Sequence, residues 1–220
     1  MSQFPSCLRE GRTLGLLIAS CLFQAGCADP LLELTTQLDD SDVKVRRQAA
    51  RRIGEMGEEA VSTHAAVSRR LKDSDVEIRR LAAFALGRMG PAAIDEVPQL
   101  KVALEDQDRS VRFSAAYALT QIVPQDDACI AVLGEGIRAN ELRAIVVVGK
   151  LGKTAKQAVP DLTSALRSRI PLVRQKAAES LGQIGADAKP AVRFLRTASR
   201  DPDSEVRAAV AEALQAILAE

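Results

Sequence analysis

The stretch DSDVEIRRLAAFALGRMG, residues 73–90, decides the fold, because the chain repeats it. It returns as DSDVKVRRQAARRIGEMG at 40–57, DQDRSVRFSAAYALTQIV at 106–123 and DPDSEVRAAVAEALQAIL at 201–218. SRIPLVRQKAAESLGQIG at 168–185 keeps the pattern without its acids, and ANELRAIVVVGKLG at 139–152 keeps part of it. The shared arginine falls at Arg46, Arg79, Arg112, Arg143, Arg174 and Arg207, at spacings of 33, 33, 31, 31 and 33. A period in this range marks a solenoid, whose units are each too small to bury their own apolar face and must stack.

Each unit reads as two helices. Asp40, Asp73, Asp106, Ser168 and Asp201 stand six residues before the arginine and read as N-caps of the second helix. Pro202 then falls at the first helical position and Pro171 within a first turn. Asp42, Asp75, Asp108 and Asp203 follow in that turn, where they complement the helix dipole. After the arginine, small or apolar residues recur with helical period, as Ala82, Ala83, Leu86 and Met89 do in the second unit. In the pairs Gly54/Gly57, Gly87/Gly90, Gly149/Gly152 and Gly182/Gly185, the first glycine lets a neighbouring helix approach and the second fits a C-cap. Shorter first helices are expected over Leu31–Leu38, Thr63–Leu71, Val97–Leu104, Ala128–Ile137, Val159–Leu166 and Ala191–Ala198. Two residues are missing before Arg143, which predicts a shortened second helix and a local change of curvature. Nothing alternates with period two, so no sheet is expected. The repeated charges read as a structural ladder of Asp42, Arg46, Asp75, Arg79, Asp108, Arg112, Asp203 and Arg207, since a catalytic set is made once and not once per unit.

Composition narrows the function. Of 220 residues, 47% are hydrophobic but only 3% aromatic, and 30 basic residues meet 29 acidic ones. The apolar content excludes disorder, and a net charge of +1 gives no electrostatic case for nucleic acid. A single histidine, His64, excludes multi-histidine metal sites and reads as a surface residue. The glycines lie at helical spacing and do not form a phosphate cradle. Neither catalysis, cofactor nor metal is therefore expected. Residues 1–28 read as an export leader: Arg9 and Arg12 precede an uncharged run from Thr13 to Ala28, too short to span a membrane comfortably. Cys27, after Gln24-Ala25-Gly26, and Cys21, after Ile18-Ala19-Ser20, each suit a bacterial lipobox, and the fuller apolar core before Cys27 favours it for lipidation. That predicts a bacterial envelope protein, lipid-anchored with its solenoid outside the inner membrane; the alternative is a secreted or periplasmic soluble protein. Cys129 reads as a small buried residue.

The run D-x-D-x-x-V-R-x-x-A-A-x-A-L-G-x-x-G resembles the HEAT repeat, in the short form of the phycobilisome bilin-lyase proteins. The resemblance covers about residues 31–219. It implies an all-α, right-handed solenoid of about six helix pairs over 29–220, with units near 31–57, 62–90, 96–123, 128–152, 159–185 and 190–219, the fourth degenerate. It implies a protein-interaction scaffold, and it places the second helices on a concave surface. The repeated His-Glu pairs of HEAT-like metal hydroxylases are absent from the sequence. On the second helices, the positions one, five and nine after the arginine form one stripe. It reads Arg47, Arg51, Glu55; then Arg80, Phe84, Arg88; then Phe113, Tyr117, Gln121; and is polar or small in the last two units. Arg47, Arg51, Arg80, Phe84, Arg88, Phe113 and Tyr117 therefore form the expected partner surface, since aromatic and arginine side chains dominate interface hot spots. The expected partner is a protein or peptide. A bilin-lyase-like accessory or chaperone role presenting a protein substrate is the alternative, and nucleic-acid binding ranks third.

Overall fold

The computed structural model describes residues 29–124 and 126–219. Cys21 and Cys27 lie outside them. Twelve α-helices and no strand occur among the described residues. They alternate as α1 (Pro30–Gln37), α2 (Val43–Met56), α3 (His64–Arg69), α4 (Val76–Met89), α5 (Val97–Ala103) and α6 (Arg109–Ile122). The order continues through α7 (Ala128–Arg138), α8 (Leu142–Leu151), α9 (Val159–Ala165), α10 (Pro171–Ile184), α11 (Val192–Ala198) and α12 (Ser204–Leu218). First and second helices thus pair into six units of a solenoid, the second being the longer in every unit but the fourth, where α7 has 11 residues and α8 has 10. One apolar core runs along the stack, built from leucine, isoleucine, valine and fully buried alanine such as Ala49, Ala82, Ala115, Ala144 and Ala177.

The second helices begin two residues later than the sequence reading places them. The caps are Asp42, Asp75, Asp108 and Asp203, each accepting from an amide of the first turn at 2.8–3.2 Å. Asp40, Asp73, Asp106 and Asp201 instead close an Asx turn onto the amide two residues on. Pro202 consequently precedes the cap and stands outside the helix, whereas Pro171 does open α10. Gly57, Gly90, Gly152 and Gly185 end second helices at φ between 56° and 74°, a region that favours glycine. Each leads into a seven-residue 3-10 segment that turns the chain back toward the next first helix.

The charge ladder also differs from its expected membership. Asp42, Asp75, Asp108 and Asp203 cap helices, and the carboxylates that meet Arg46, Arg79 and Arg174 come from the Asx turns of the following unit. Arg46 grips Asp73 through Nε and Nη2 at 3.0 and 3.2 Å. Arg79 grips Asp106 at 2.7 and 3.0 Å, and Arg174 grips Asp201 at 2.7 and 2.7 Å. The third nitrogen, Nη1, donates to the carbonyl six residues back, at Asp40, Asp73, Asp106, Ser168 and Asp201. One planar guanidinium therefore locks its own loop and fastens the next unit. The Arg79 and Arg174 hydrogen bonds hold the Asp106 and Asp201 carboxyls below the usual range. Burial pushes Asp73 upward, but Arg46 and the Asp75 amide outweigh it and leave that carboxyl lowered too.

His64 is not a free surface residue. Its Nδ1 lies 2.8 Å from Oε1 of the buried Glu96, tying the second unit to the third. Cys129 is buried, with Sγ donating to the Asp126 carbonyl at 2.9 Å, and burial pushes its thiol up to about 11.

Candidate binding trough

The trough begins with a missing helical turn. α2, α4, α6 and α10 each have 14 residues, but α8 has 10. Its C-terminal end is regular, with Gly149 and Gly152 placed like the glycine pairs of α2, α4 and α10. Counting back from them puts Glu141, and not Arg143, at the place of the repeated arginine, so the sequence alignment of this unit is two residues out of register. Glu141 is the residue before the helix and Arg143 an exposed first-turn residue. The missing turn is replaced by a tight reversal in which Asn140 takes φ 61° and the Glu141 amide donates to the Gly136 carbonyl at 2.9 Å.

This shortening opens the stack. α4 packs closely along α6, whereas α6 and α8 scarcely touch and are joined mainly through α7. Where α4 offers Gly87 to its neighbour, α6 has Thr120; where α4 ends on Gly90, α6 ends on Val123. Twenty-seven residues after Arg112, where Arg46, Arg79 and Arg174 find their aspartates, stands Ala139, and Arg112 reaches instead to Glu135 at 3.1 Å.

Between α4, α6 and α8 lies a cavity of about 650 Å³. One wall carries Phe84, Phe113 and Tyr117, and the other carries Leu142, Val146 and Val147. The Phe84 and Tyr117 rings stack with centroids 6.5 Å apart and planes 16° from parallel. All three rings are half-buried. Phe84 rests over Gly54 and Phe113 leans on the core, so each fills space between units with one face and presents the rest to the trough. The trough continues past Arg80 to Asp108, Arg109 and Asn140 at one end, and past Tyr117 to Pro124, Lys150 and Thr154 at the other.

Of the seven residues expected to form the partner surface, the structure brings Arg80, Phe84, Phe113 and Tyr117 to this trough. Arg47 and Arg51 lie one helix away on α2. Arg47 Nε donates to Asp75 at 2.9 Å, and Arg51 is 4.0 Å from Glu77. The Arg47 hydrogen bond lowers the Asp75 carboxyl to about 2. Arg80 is itself paired with Glu77 at 2.8 and 2.6 Å. Arg88 is exposed at the end of α4. The sequence reading missed Leu142, Val146 and Lys150, which are the fourth row of the same stripe. The signal was present: once counted from Glu141, they occupy positions one, five and nine. The arrangement can hold apolar side chains against a wall rimmed with cations. Among the described residues no cluster of three or more His, Cys, Asp or Glu is placed to hold a metal, and no helix is long and apolar enough to cross a membrane.

The family model for HEAT repeats matches residues 28–119, 63–146 and 138–215. No curated protein matches the chain. Similar solved structures include an engineered protein, Northeast Structural Genomics Consortium target OR366, 20% identical with a TM-score of 0.64, covering 88% of this chain and 100% of that one. The designed armadillo repeat protein YIII(Dq.V1)4CPAF, in complex with peptide (KR)4, is 16% identical with a TM-score of 0.64, covering 86% and 100%. The complex of CpcE and CpcF of phycocyanin lyase from Nostoc sp. PCC7120 is 23% identical with a TM-score of 0.59, covering 88% and 79%. At these identities the likeness is one of fold.

Proposed function

This chain belongs to the HEAT-repeat family, and from that premise we propose that it is a noncatalytic scaffold that binds a protein or peptide in the trough between α4, α6 and α8. One observation carries the reading: stacked, half-buried Phe84 and Tyr117 face Leu142, Val146 and Val147 across an open apolar channel. A folded chain gains nothing by leaving such a surface open, and a partner that covers it recovers the apolar burial. The designed armadillo protein with peptide (KR)4 supports the principle that a stack of this fold can hold a peptide. The proposed setting is the bacterial envelope, with the solenoid tethered through Cys27, or through Cys21 as the alternative. The uncharged run Thr13–Ala28 supports that setting.

The test is a pull-down from envelope extracts with wild type and with Phe84→Ala/Tyr117→Ala. Partner recovery should drop with the variant, and equal recovery overturns the proposed site. Palmitate labelling of wild type, Cys21→Ser and Cys27→Ser tests the tether, and an unlabelled wild type removes it. The fold likeness to the CpcE–CpcF complex supports a second reading, an accessory subunit that presents a protein substrate. A recovered partner that is itself modified only in the presence of this chain would favour that role.

A further inference from the structure

Two cations on the rim of the trough make no ion pair with a described residue. Among the described residues, every acid lining or bordering it is engaged. Glu77 is held by Arg80, Glu141 by Arg109 at 3.0 Å, and Asp108 by the Ser110 amide at the start of α6. By contrast, Arg143 and Lys150 are exposed and make no ion pair with a described residue. Arg143 and Lys150 stand on α8 on either side of Val146 and Val147, seven residues apart, about 10 Å along the helix axis.

The trough is also elongated. It follows α6, a helix of 14 residues and so about 21 Å long, from Asp108 at one end to Pro124 at the other. A chain in the extended polyproline II conformation rises about 3.1 Å per residue, so about seven residues would fill it. With three residues per turn in that conformation, two acids three residues apart share one face and lie about 9 Å apart, close to the spacing of Arg143 and Lys150. A compact small molecule would use one compartment and leave the others open.

Resting on the trough-binding reading above, we propose that the trough takes an acidic extended peptide, in which two carboxylates about three residues apart flank apolar anchor side chains. The anchors enter between Phe84, Phe113 and Tyr117 on one wall and Leu142, Val146 and Val147 on the other. The flanking carboxylates meet Arg143 and Lys150. The preference is set by unpaired cations on one helix, so it tunes specificity and association as well as affinity.

The experiment selects a phage-displayed random nonapeptide library on the full chain. A synthetic peptide of the consensus is then measured by fluorescence anisotropy. The selected peptides should carry Asp or Glu at positions i and i+3 around Leu, Ile or Phe. Affinity should fall with added salt and drop at least tenfold for Arg143→Glu/Lys150→Glu, whose helical circular dichroism and melting should match wild type. A basic-flanked version of the peptide should bind the charge-reversed variant better than wild type. A basic or charge-free consensus, no consensus at all, or unchanged affinity for the folded charge-reversed variant overturns the acidic preference. If that preference fails while Phe84→Ala/Tyr117→Ala still loses its envelope partner, only the peptide chemistry is wrong. If both fail, the trough is not the binding face.

Discussion

The α4–α6 junction and the α6–α8 junction join the same kinds of helix and end differently. At the first, a Cβ on Gly87 would meet the Ala118 Cα at 2.8 Å, so the two backbones are in direct approach. Arg79 reaches across to Asp106. At the second, Thr120 replaces the glycine, Ala139 stands where the partner aspartate of Arg112 would be, and the first turn of the facing helix is gone. The stack nevertheless resumes. In the last two units a Cβ on Gly182 would lie 3.0 Å from Ala213 Cα, and Arg174 again grips Asp201. A stack held by nearest-neighbour interfaces tolerates one loosened junction because the defect does not propagate. Here α7 keeps the two halves joined while the second helices part. An open trough is thus created by subtracting one turn, with no added loop.

The comparison breaks most directly at its tightest contact. Gly87→Val should destabilise the protein by about 1–3 kcal/mol in urea unfolding, because the added carbons meet backbone and cannot rotate away. Thr120→Val, at the matching place on the open side, should lose about 1 kcal/mol at most, chiefly the hydroxyl bond to the Tyr117 carbonyl. Similar losses at the two sites would mean the junctions are packed alike.

The ladder gives the next largest contrast. Asp106→Ala removes both bonds to Arg79 and should lose about 1–2 kcal/mol, reduced by the solvent both partners still touch. Glu135→Ala, at the open junction, should lose less than about 1 kcal/mol, since that carboxylate is 46% exposed. Acid should act through the same rungs. The Asp73, Asp106 and Asp201 carboxyls titrate below their ordinary 3.8, and Asp75 near 2. Groups lowered on folding contribute stability that is present above about pH 4 and is lost as pH falls toward 2. The melting temperature of wild type should therefore fall across that window. The decline should be shallower for Asp73→Asn/Asp106→Asn/Asp201→Asn, and an equally steep fall would take the rungs out of the acid response.

Most of the architecture was legible because it is written six times. A 33-residue period, capping residues and paired glycines give the helix pairs without any knowledge of the contacts. What was not legible depends on geometry that residue type does not encode. Aspartate caps a helix and closes an Asx turn equally well, so the sequence could not say which of two aspartates, two residues apart, does which. The arginine partner was likewise ambiguous between the same unit and the next. In the fourth unit an arginine happens to fall near the repeat position. Aligning on it hid Leu142, Val146 and Lys150, whereas Gly149 and Gly152, which are held by backbone conformation and close packing, were the safer ruler. The pair between His64 and Glu96 spans two units and leaves no local pattern.

The smallest expected effect tests the turn that makes the difference. Asn140 is the described non-glycine residue with positive φ, at 61°, and it lets α7 stop and α8 start within three residues. Asparagine tolerates this region better than most side chains, while alanine pays the full steric cost, so Asn140→Ala should lose about 1 kcal/mol. Asn140→Gly relieves that strain but frees the unfolded chain, two effects of similar size and opposite sign, so stability should change by no more than about 0.5 kcal/mol. An ordinary helical position would rank these substitutions the other way, with alanine favoured over glycine by about 1 kcal/mol. The rank order in urea unfolding therefore reports whether the left-handed turn is formed. If alanine proves the better replacement, the chain at 139–141 is not reversed as described. α8 could then regain its lost turn, and the trough would close along with the contrast between the two junctions.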